Sequence, residues 1–149
     1  MKRLVLICFV VLLAVFLILP PDAHSKSIRF EIRLVDISPV SNETSMKLRG
    51  ENETLHVFRN VVVNETDINE ALLIKNGENI SILIRLKHDS AVKFDDFAMR
   101  NRDGRMAVVI DGELIAAPPV PLYPQGQALI PVKLSEKEAK DIVDRLNKE

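Results

Sequence analysis

Cysteine, glycine and histidine are all scarce in this sequence: among 149 residues there are one cysteine, five glycines and three histidines. The single cysteine, Cys8, lies inside an apolar N-terminal run, so the rest of the chain can form neither a disulfide nor a cysteine-based zinc site. His56 and His88 are distant in sequence, and no H-x-x-x-H or C-x-x-C spacing is present. We therefore expect no metal, no cofactor, and a domain held together by its apolar core.

The balance of charge and the scarcity of glycine exclude two further kinds of site. The chain has 20 lysines and arginines against 21 acidic residues, and the basic residues are scattered rather than clustered. This distribution excludes a nucleic-acid-binding face. Gly126 is isolated in the segment PQGQ, whereas a phosphate-binding loop needs several glycines followed by a helix.

No arrangement typical of a catalytic site is visible either. The G-x-S-x-G motif is absent. Asp95 and Asp96 are adjacent on a predicted helix, so their side chains point about 100° apart, which is typical of a solvated face. We predict that the protein is not an enzyme. The alternative is a small hydrolase whose site the fold assembles from His56, Asp95 and their neighbours.

The N-terminus of the sequence predicts an export signal or a membrane anchor. Two basic residues precede sixteen uninterrupted apolar residues, 4–19, and two prolines follow them. This is the charged and apolar pattern of a secretory signal. Ala23 and Ser25 have the spacing of small residues that a signal peptidase accepts, which favours cleavage after Ser25. Because the apolar run is nearly long enough to cross a bilayer, an uncleaved membrane anchor is the alternative.

The rest of the chain, residues 26–149, is long enough for a single domain. Residues 27–37 alternate between apolar and polar side chains, which predicts a half-buried strand. Residues 38–54 are polar and have no sustained period, which indicates a surface loop. Residues 55–63 are rich in β-branched side chains, which predicts a second strand.

The middle of the chain predicts a helical turn, a hairpin and a helix, in that order. Thr66 is expected to cap a short helical turn over TDINEAL. The apolar runs ALLIK and NISILIRLK flank Asn76-Gly77, a dipeptide that suits a tight hairpin turn. From His88 onward, apolar residues recur at three-to-four spacing, which predicts a helix that stops at Gly104.

The C-terminal third predicts another hairpin, a strand and a capped helix. The runs MAVVI and ELIAA flank Asp111-Gly112, the clearest hairpin turn in the sequence. The strand QALIPVKL then leads into a helix that starts with a capping box formed by Ser135 and Glu138. These elements predict an α+β fold, in which an antiparallel sheet of hairpins carries two main helices packed on one face.

The segment AAPPVPLYP, residues 116–124, is the most distinctive surface segment. Prolines stiffen an extended backbone, and a tyrosine adds an amphipathic ring. The segment is therefore a candidate protein-contact loop, and a rigid connection between two strands is the alternative. Its candidate contact residues are Pro118, Pro119, Pro121, Tyr123 and Pro124.

Four segments resemble a known family. GRMAVVIDGELIAAPPV and ALIPVKLSEKEAKDIVDRL, preceded by VFRNVVVNETDINEA and ISILIRLKHDSAVKF, resemble the first extracytoplasmic head domain of the bacterial protein-export membrane protein SecD. The resemblance covers residues 55–147. Pro131 stands where the family usually has glycine, and the membrane-spanning bundle that carries the family's proton-coupled function has no counterpart in the sequence. The resemblance thus implies a stand-alone head domain with its own export signal.

The resemblance implies a non-catalytic, periplasmic or secreted module that binds unfolded polypeptide or an envelope protein, in connection with protein export. A structural accessory subunit of an envelope complex is the alternative. We expect no nucleic-acid partner, and membrane contact only through the N-terminal segment if it is retained. Four Asn-x-Ser/Thr triplets matter only in a host that glycosylates exported proteins, and polar loop composition also explains them. The triplets start at Asn42, Asn52, Asn64 and Asn79.

Overall fold

A computed structural model describes residues 27–36 and 42–148 of the chain. The predicted signal peptide or anchor, residues 1–25, lies outside the described residues. Within the described part, no helix is long and apolar enough to span a membrane.

Across these residues the chain forms nine strands and two α-helices. The strands are β1 (Phe30–Asp36), β2 (Glu43–Lys47), β3 (Thr54–Phe58), β4 (Val63–Asn64), β5 (Ile68–Asn76), β6 (Asn79–Leu86), β7 (Arg105–Ile110), β8 (Glu113–Ala116) and β9 (Gln127–Val132). The helices are α1 (His88–Arg100) and α2 (Glu136–Leu146), and a single 3-10 turn covers Glu65–Asp67.

The strands are arranged in two antiparallel sheets. The order in the first sheet is β2-β3-β1-β7-β8, with β4 also paired to β1, and the order in the second is β5-β6-β9. The predicted α+β class, with antiparallel hairpins and two helices, is confirmed. The hairpins form at residues that accept a positive φ angle: Gly77 (60°) between β5 and β6, and Asp111 (51°) with Gly112 (87°) between β7 and β8.

The main core lies between the two sheets and the two helices. Strand residues that face it include Phe30, Ile32, Ile82 and Ile84. Helix residues that face it are Phe94 and Ala98 of α1 and Ala139, Ile142, Val143 and Leu146 of α2. Each helix therefore buries one apolar stripe, and its other side is available for contacts outside the domain.

A smaller apolar cluster fills the opposite face of the first sheet. This second cluster consists of Val35, Leu48, Leu55, Val57, Ala107, Val109 and Leu114. The sheet curls around it until the two edge strands meet at one point, where Leu48 and Leu114 form an isolated parallel bridge. The first sheet is thus apolar on both faces, whereas the alternation in its sequence predicts burial of one face only.

The prediction of a surface loop over residues 38–54 is wrong where the chain forms β2. This strand pairs with β3, from Glu43 opposite Phe58 to Lys47 opposite Thr54. The segment is polar because β2 is an edge strand, and only Met46 in it packs against the second cluster. Pairing with β3, rather than local propensity, decides the conformation of such a strand.

The segment after β3 also differs from the predictions. The strand expected over residues 55–63 is interrupted after Phe58 and resumes only as β4. The cap of the following turn is Asn64, whose Oδ1 accepts the N–H of Thr66 (2.9 Å), so Thr66 is not itself the cap. The turn is a single 3-10 turn, and the segment from Ile68 onward belongs to β5. Pairing with β6 outweighs the helix propensity of that segment.

Candidate functional site

Residues 117–126, which we call the proline loop, connect β8 to β9. The N–H of Met106 donates to the carbonyl of Pro118 (2.8 Å), which continues the pairing beyond β8. The N–H of Val120 donates to the carbonyl of Gly104 (2.9 Å). Prolines have no N–H, so the loop is held through their carbonyls and through the few residues between them.

The candidate contact residues of the proline loop differ in exposure. Pro118 is buried, Pro121 and Pro124 are half-buried, and Pro119 is exposed. Tyr123 is 85% exposed and the neighbouring Leu122 is 60% exposed. Leu122 is a contact candidate that the pattern of prolines does not single out. The loop thus buries its beginning and presents Leu122 and Tyr123 to solvent.

Helix α1 supports the far end of the proline loop. Oδ1 of Asp95 accepts a hydrogen bond from the N–H of Gly126 (2.9 Å). Gly126 adopts a φ angle of +69°, and a Cβ on it would lie 2.7 Å from the Cβ of Ala91. Only glycine fits here, because any other residue would combine a left-handed backbone with a contact shorter than van der Waals separation.

Large apolar side chains are exposed on α1 as well as on the proline loop. Of the seven exposed large apolar side chains in the described part of the chain, four lie on these two segments. We call these four the contact surface: Val92 (61% exposed), Met99 (56%), Leu122 and Tyr123. The two segments adjoin where Asp95 and Ala91 meet Gly126, so these four side chains form a candidate contact surface.

A groove of about 500 Å³ lies beside Pro118, between β8 and β9. Ile115, Pro131 and Leu134 contribute to its apolar lining. Arg105 also lines it and pairs with Glu53 (2.9 Å), and this hydrogen bond lowers the pKa of the Glu53 carboxyl. Arg49, Glu51, Glu78 and Lys133 line the groove as well, so it combines apolar and charged surface beside the start of the proline loop.

The predicted structural turn at Asp111-Gly112 connects three parts of the fold. Oδ1 of Asp111 accepts the N–H of Arg29 (3.0 Å), next to the start of β1. Oδ2 of the same carboxylate accepts a hydrogen bond from the guanidinium of Arg145 on α2 (2.8 Å). Asp111 thus ties the hairpin to the beginning of the domain and to its last helix.

Gly104 lies beyond the end of α1. The helix ends at Arg100, and a short turn follows in which the N–H of Gly104 donates to the carbonyl of Asn101 (2.9 Å). The sequence places the helix stop at Gly104, whereas in the structure this glycine holds Val120 of the proline loop through its carbonyl.

Ser135 and Glu138 form a capping box at the start of α2. The hydroxyl of Ser135 accepts the N–H of Glu138 (3.3 Å), and the carboxylate of Glu138 accepts the N–H (3.0 Å) and the hydroxyl (2.6 Å) of Ser135. The hydrogen bonds from the hydroxyl and then the N–H of Ser135, together with the Arg49 guanidinium, lower the pKa of Glu138 from 4.5 to about 2. Ionised Glu138 is therefore favoured by the folded state.

Replacing Glu138 by glutamine is expected to lower the melting temperature by about 2 to 4 °C at neutral pH, because the neutral amide accepts weaker hydrogen bonds. A carboxyl whose pKa is lowered by folding stabilises the protein above its unfolded pKa and loses this effect as the pH falls through the folded pKa. The difference between the Glu138→Gln variant and the native chain should therefore shrink between pH 4.5 and pH 2.

Thermal unfolding followed by circular dichroism across this pH range tests the prediction. Glu136→Gln, in the same helical turn but outside the capping box, is the matched control. A difference for Glu138→Gln that stays constant down to pH 2 would contradict the assignment.

A serine, a histidine and a glutamate come together on β2 and β3. Nδ1 of His56 lies 3.4 Å from Oγ of Ser45 and 3.6 Å from Oε2 of Glu43. In a Ser-His-acid triad the hydroxyl and the carboxylate engage different ring nitrogens, whereas here both approach the same one. Asp95 is engaged with Gly126 instead. The sequence does not predict that His56 lies beside residues of β2, because the segment that forms β2 has the composition of a loop.

The other candidate catalytic and metal-ligating residues lie apart. His88 is exposed at the start of α1. Asp96 forms an ion pair with Arg100 one turn later on the same helix (2.7 Å). In the part of the chain that the structure describes, no group of three His, Cys, Asp or Glu side chains could hold a metal ion.

Comparison with solved structures relates this fold to SecDF. A structure of SecDF in its super-membrane-facing form matches with a TM-score of 0.63 and 19% identity, covering 81% of this chain and 18% of that one. A structure of SecDF as a membrane component that enhances protein export matches with the same score and identity, covering 81% of this chain and 62% of that one. At this identity the likeness concerns the fold alone, and the chain spans less than two thirds of either relative.

Comparison at the level of sequence gives the family. No curated protein sequence matches this chain. The family model of the SecDF P1 head subdomain, however, matches residues 42–148, which is well over half of the chain. The match includes β2, the proline loop and both helices. The chain therefore belongs to the SecDF P1 head subdomain family.

Proposed function

We propose that this chain is an extracytoplasmic binding module that contacts unfolded polypeptide or a protein partner in the cell envelope, in connection with protein export. The observation that carries the proposal is the concentration of exposed apolar side chains on α1 and the proline loop. The contact surface is formed by rigid elements, since the loop is pinned at Gly104 and at Gly126.

Membership of the SecDF P1 head subdomain family supports this proposal. One similar structure is that of a membrane component that enhances protein export. The proposal assigns residues 1–25 to a signal peptide or membrane anchor and residues 26–149 to a single head-like domain. The domain would then lie on the far side of the membrane, where emerging polypeptides are unfolded.

The proline loop suits a contact with low conformational cost. Its prolines restrict the backbone before any partner binds, which reduces the entropy lost on association. Tyr123 offers a large surface with only two rotatable side-chain bonds. Leu122 beside it adds aliphatic area. Such a surface recognises exposed apolar side chains in general rather than one sequence, which fits an unfolded polypeptide as ligand.

The proposed function involves no catalysis, no cofactor and no metal. Ser45 and Glu43 approach the same nitrogen of His56, which does not support the hydrolase alternative. A stable accessory subunit of an envelope complex remains distinguishable by experiment, because it would have one fixed partner rather than many transient ones.

Replacing Tyr123 by alanine is expected to weaken binding of an unfolded polypeptide by about tenfold, because exposed aromatic anchors carry a large share of binding energy at such surfaces. The measurement uses the full chain and fluorescently labelled, reduced and carboxymethylated lactalbumin, titrated by fluorescence anisotropy. A photo-crosslinking residue at position 123 in intact cells should capture several polypeptides.

Leu129→Ala is the matched control, because Leu129 is also exposed (55%) but lies on β9, outside the contact surface. It should change the affinity by less than about twofold. Equal effects of the two substitutions, or no captured polypeptide from position 123, would refute the proposed contact surface. Capture of one partner that copurifies in fixed ratio would favour the accessory-subunit role.

A further inference from the structure

Within the part of the chain that the structure describes, strand β2 pairs along one edge only, with β3. Two hydrogen bonds determine which residues face β3: the N–H of Leu48 donates to Glu53 (2.9 Å), and the N–H of Arg59 donates to Asn42 (3.3 Å). In an antiparallel ladder, hydrogen-bonded positions alternate along each strand. The even-numbered residues of β2 therefore pair with β3, and the N–H groups of Ser45 and Lys47 point to the other side.

The neighbour on that other side is β8, but the two strands touch only at one end. The N–H of Arg49 donates to the carbonyl of Leu114 (2.9 Å), where the isolated bridge closes the curled sheet. From this point towards Thr44 the strands are separated by a groove of about 640 Å³, lined on its far side by Gly112 and Leu114. Within residues 27–36 and 42–148, no main-chain group pairs with the outward N–H and carbonyl of Ser45.

The edges of the second sheet are occupied or blocked at single positions. At β5, the side-chain amide of Asn147 pairs with one residue: its Oδ1 accepts the N–H of Ala71 (2.8 Å) and its Nδ2 donates to the carbonyl of Ala71 (2.9 Å). Next to β9, the N–H of Leu86 donates to the carbonyl of Gly126. Hydrogen-bonded positions alternate, so the even-numbered residues of β9 pair with β6 and the main-chain groups of its odd-numbered residues point away from the sheet. Among these is Pro131, which has no N–H to offer.

The edge formed by β8 is occupied as well. The carbonyl of Leu114 accepts the N–H of Arg49, and the carbonyl of Ala117 accepts a hydrogen bond from Nε of Arg105 (3.0 Å). Native proteins protect sheet edges by such means because an open edge pairs with other chains. These contacts cover single positions, and the outward main-chain groups of Leu73 and Leu129 have no main-chain partner among the described residues. The edge of β2 differs in that its outward groups face a groove between two strands of one sheet.

We propose that an extended segment of unfolded polypeptide adds to the first sheet as a strand beside β2, in the groove between β2 and β8. This inference rests on the proposed function and specifies how the polypeptide is held. The main-chain groups of Ser45 and the N–H of Lys47 supply the hydrogen bonds, which are independent of the ligand's sequence.

The groove also selects the side chains of the added strand. Side chains alternate across a strand, so every second residue of the ligand would face the side of Met46, which is half-buried against the second cluster. That side favours apolar residues. On the other side, Glu43 and Lys47 flank Ser45 with opposite charges, so that side favours polar residues. The fitting partner is an extended segment that alternates apolar residues with polar ones.

The substitution Ser45→Pro tests the proposal, because it removes the outward N–H without removing any main-chain hydrogen bond to β3. The probe is a fluorescent synthetic peptide of alternating valine and threonine, titrated into the full chain. We expect Ser45→Pro to weaken its binding at least about tenfold. Ser45→Ala, which keeps the N–H and loses only the hydroxyl, should bind within about twofold of the native chain.

A second measurement does not depend on the folding of a variant. The same peptide with an N-methyl group on every residue has no N–H on either edge, so it cannot form the ladder with β2 and should lose binding to the native chain to a similar degree. Unchanged binding of the N-methylated peptide, or equal affinities of Ser45→Pro and Ser45→Ala, would overturn strand addition.

The outcomes for the two surfaces are separable. If Tyr123→Ala weakens binding of the unfolded polypeptide while Ser45→Pro does not affect the peptide, strand addition is refuted and the proposed function stands. If the native chain binds neither the peptide nor carboxymethylated lactalbumin, the proposed function fails and the strand-addition inference fails with it.

Discussion

Replacing Phe94 by alanine is expected to lower the free energy of unfolding by about 4 kcal/mol, because it empties a fully enclosed site in the main core. Phe94 is 0% exposed and, with Ala98, is one of the two residues by which α1 is buried in that core. Urea denaturation followed by circular dichroism should show a lower midpoint with an unchanged slope.

Val92→Ala is the control for this prediction. Val92 lies on the same helix and is 61% exposed, so its truncation should change the free energy of unfolding by less than about 0.5 kcal/mol. A loss below about 1 kcal/mol for Phe94→Ala would mean that α1 is not held by the core as the structure describes. The support of the proline loop would then be in doubt as well.

Replacing Gly126 by alanine is expected to cost about 2 to 3 kcal/mol of folding free energy, from two sources. The left-handed backbone at φ +69° costs about 1 to 2 kcal/mol for any residue with a Cβ. The new Cβ would lie 2.7 Å from the Cβ of Ala91, so the loop or the helix must move. Because this movement displaces the proline loop, binding of unfolded polypeptide should weaken together with stability.

A control and a double variant separate the two sources. Gly77→Ala meets a similar backbone penalty (φ +60°) but no neighbouring atom within 4 Å, so it should cost about 1 to 2 kcal/mol. Combining Gly126→Ala with Ala91→Gly removes the clash, and the double variant should be more stable than the sum of the single effects by about 1 kcal/mol. Additive effects would show that the loop does not rest on α1 at this point.

Much of the fold could be predicted from local patterns. The predicted hairpins form, with turn residues Asp111 and Gly112 in one and Gly77 and Glu78 in the other, where Asn76 is the last residue of β5. Each turn depends on a residue that accepts a positive φ angle. The capping box at Ser135 depends on a residue three positions away. In these cases the interacting residues are close in sequence, so the local sequence largely determines the conformation of the turn or cap.

The errors fall where distant pairing competes with local preference. Strand β2 has the polar composition of a loop, and its conformation depends on pairing with β3 and on Met46 reaching the second cluster. The segment after Thr66 has the composition of a helix and becomes β5 because β6 pairs with it along its length. The sequence of one segment does not show which hydrogen bonds it will form with a distant partner strand.

The candidate contact surface was predictable in part. Proline and tyrosine marked the loop, but exposure of Leu122, Val92 and Met99 depends on how α1 packs. The open edge of β2 has no signal in the sequence at all, because which N–H groups face outward depends on the register with β3.

The sequence by itself determined the class of the domain, its hairpin turns, the apolar stripe of α2 and the resemblance to the SecD head, since each depends on neighbours within a few residues. Only the tertiary structure decided that the strands divide into two sheets, that the first sheet curls around a second cluster, and that Gly126 must be glycine. These features depend on contacts between residues far apart in the chain, and such contacts exist only when the whole domain is packed.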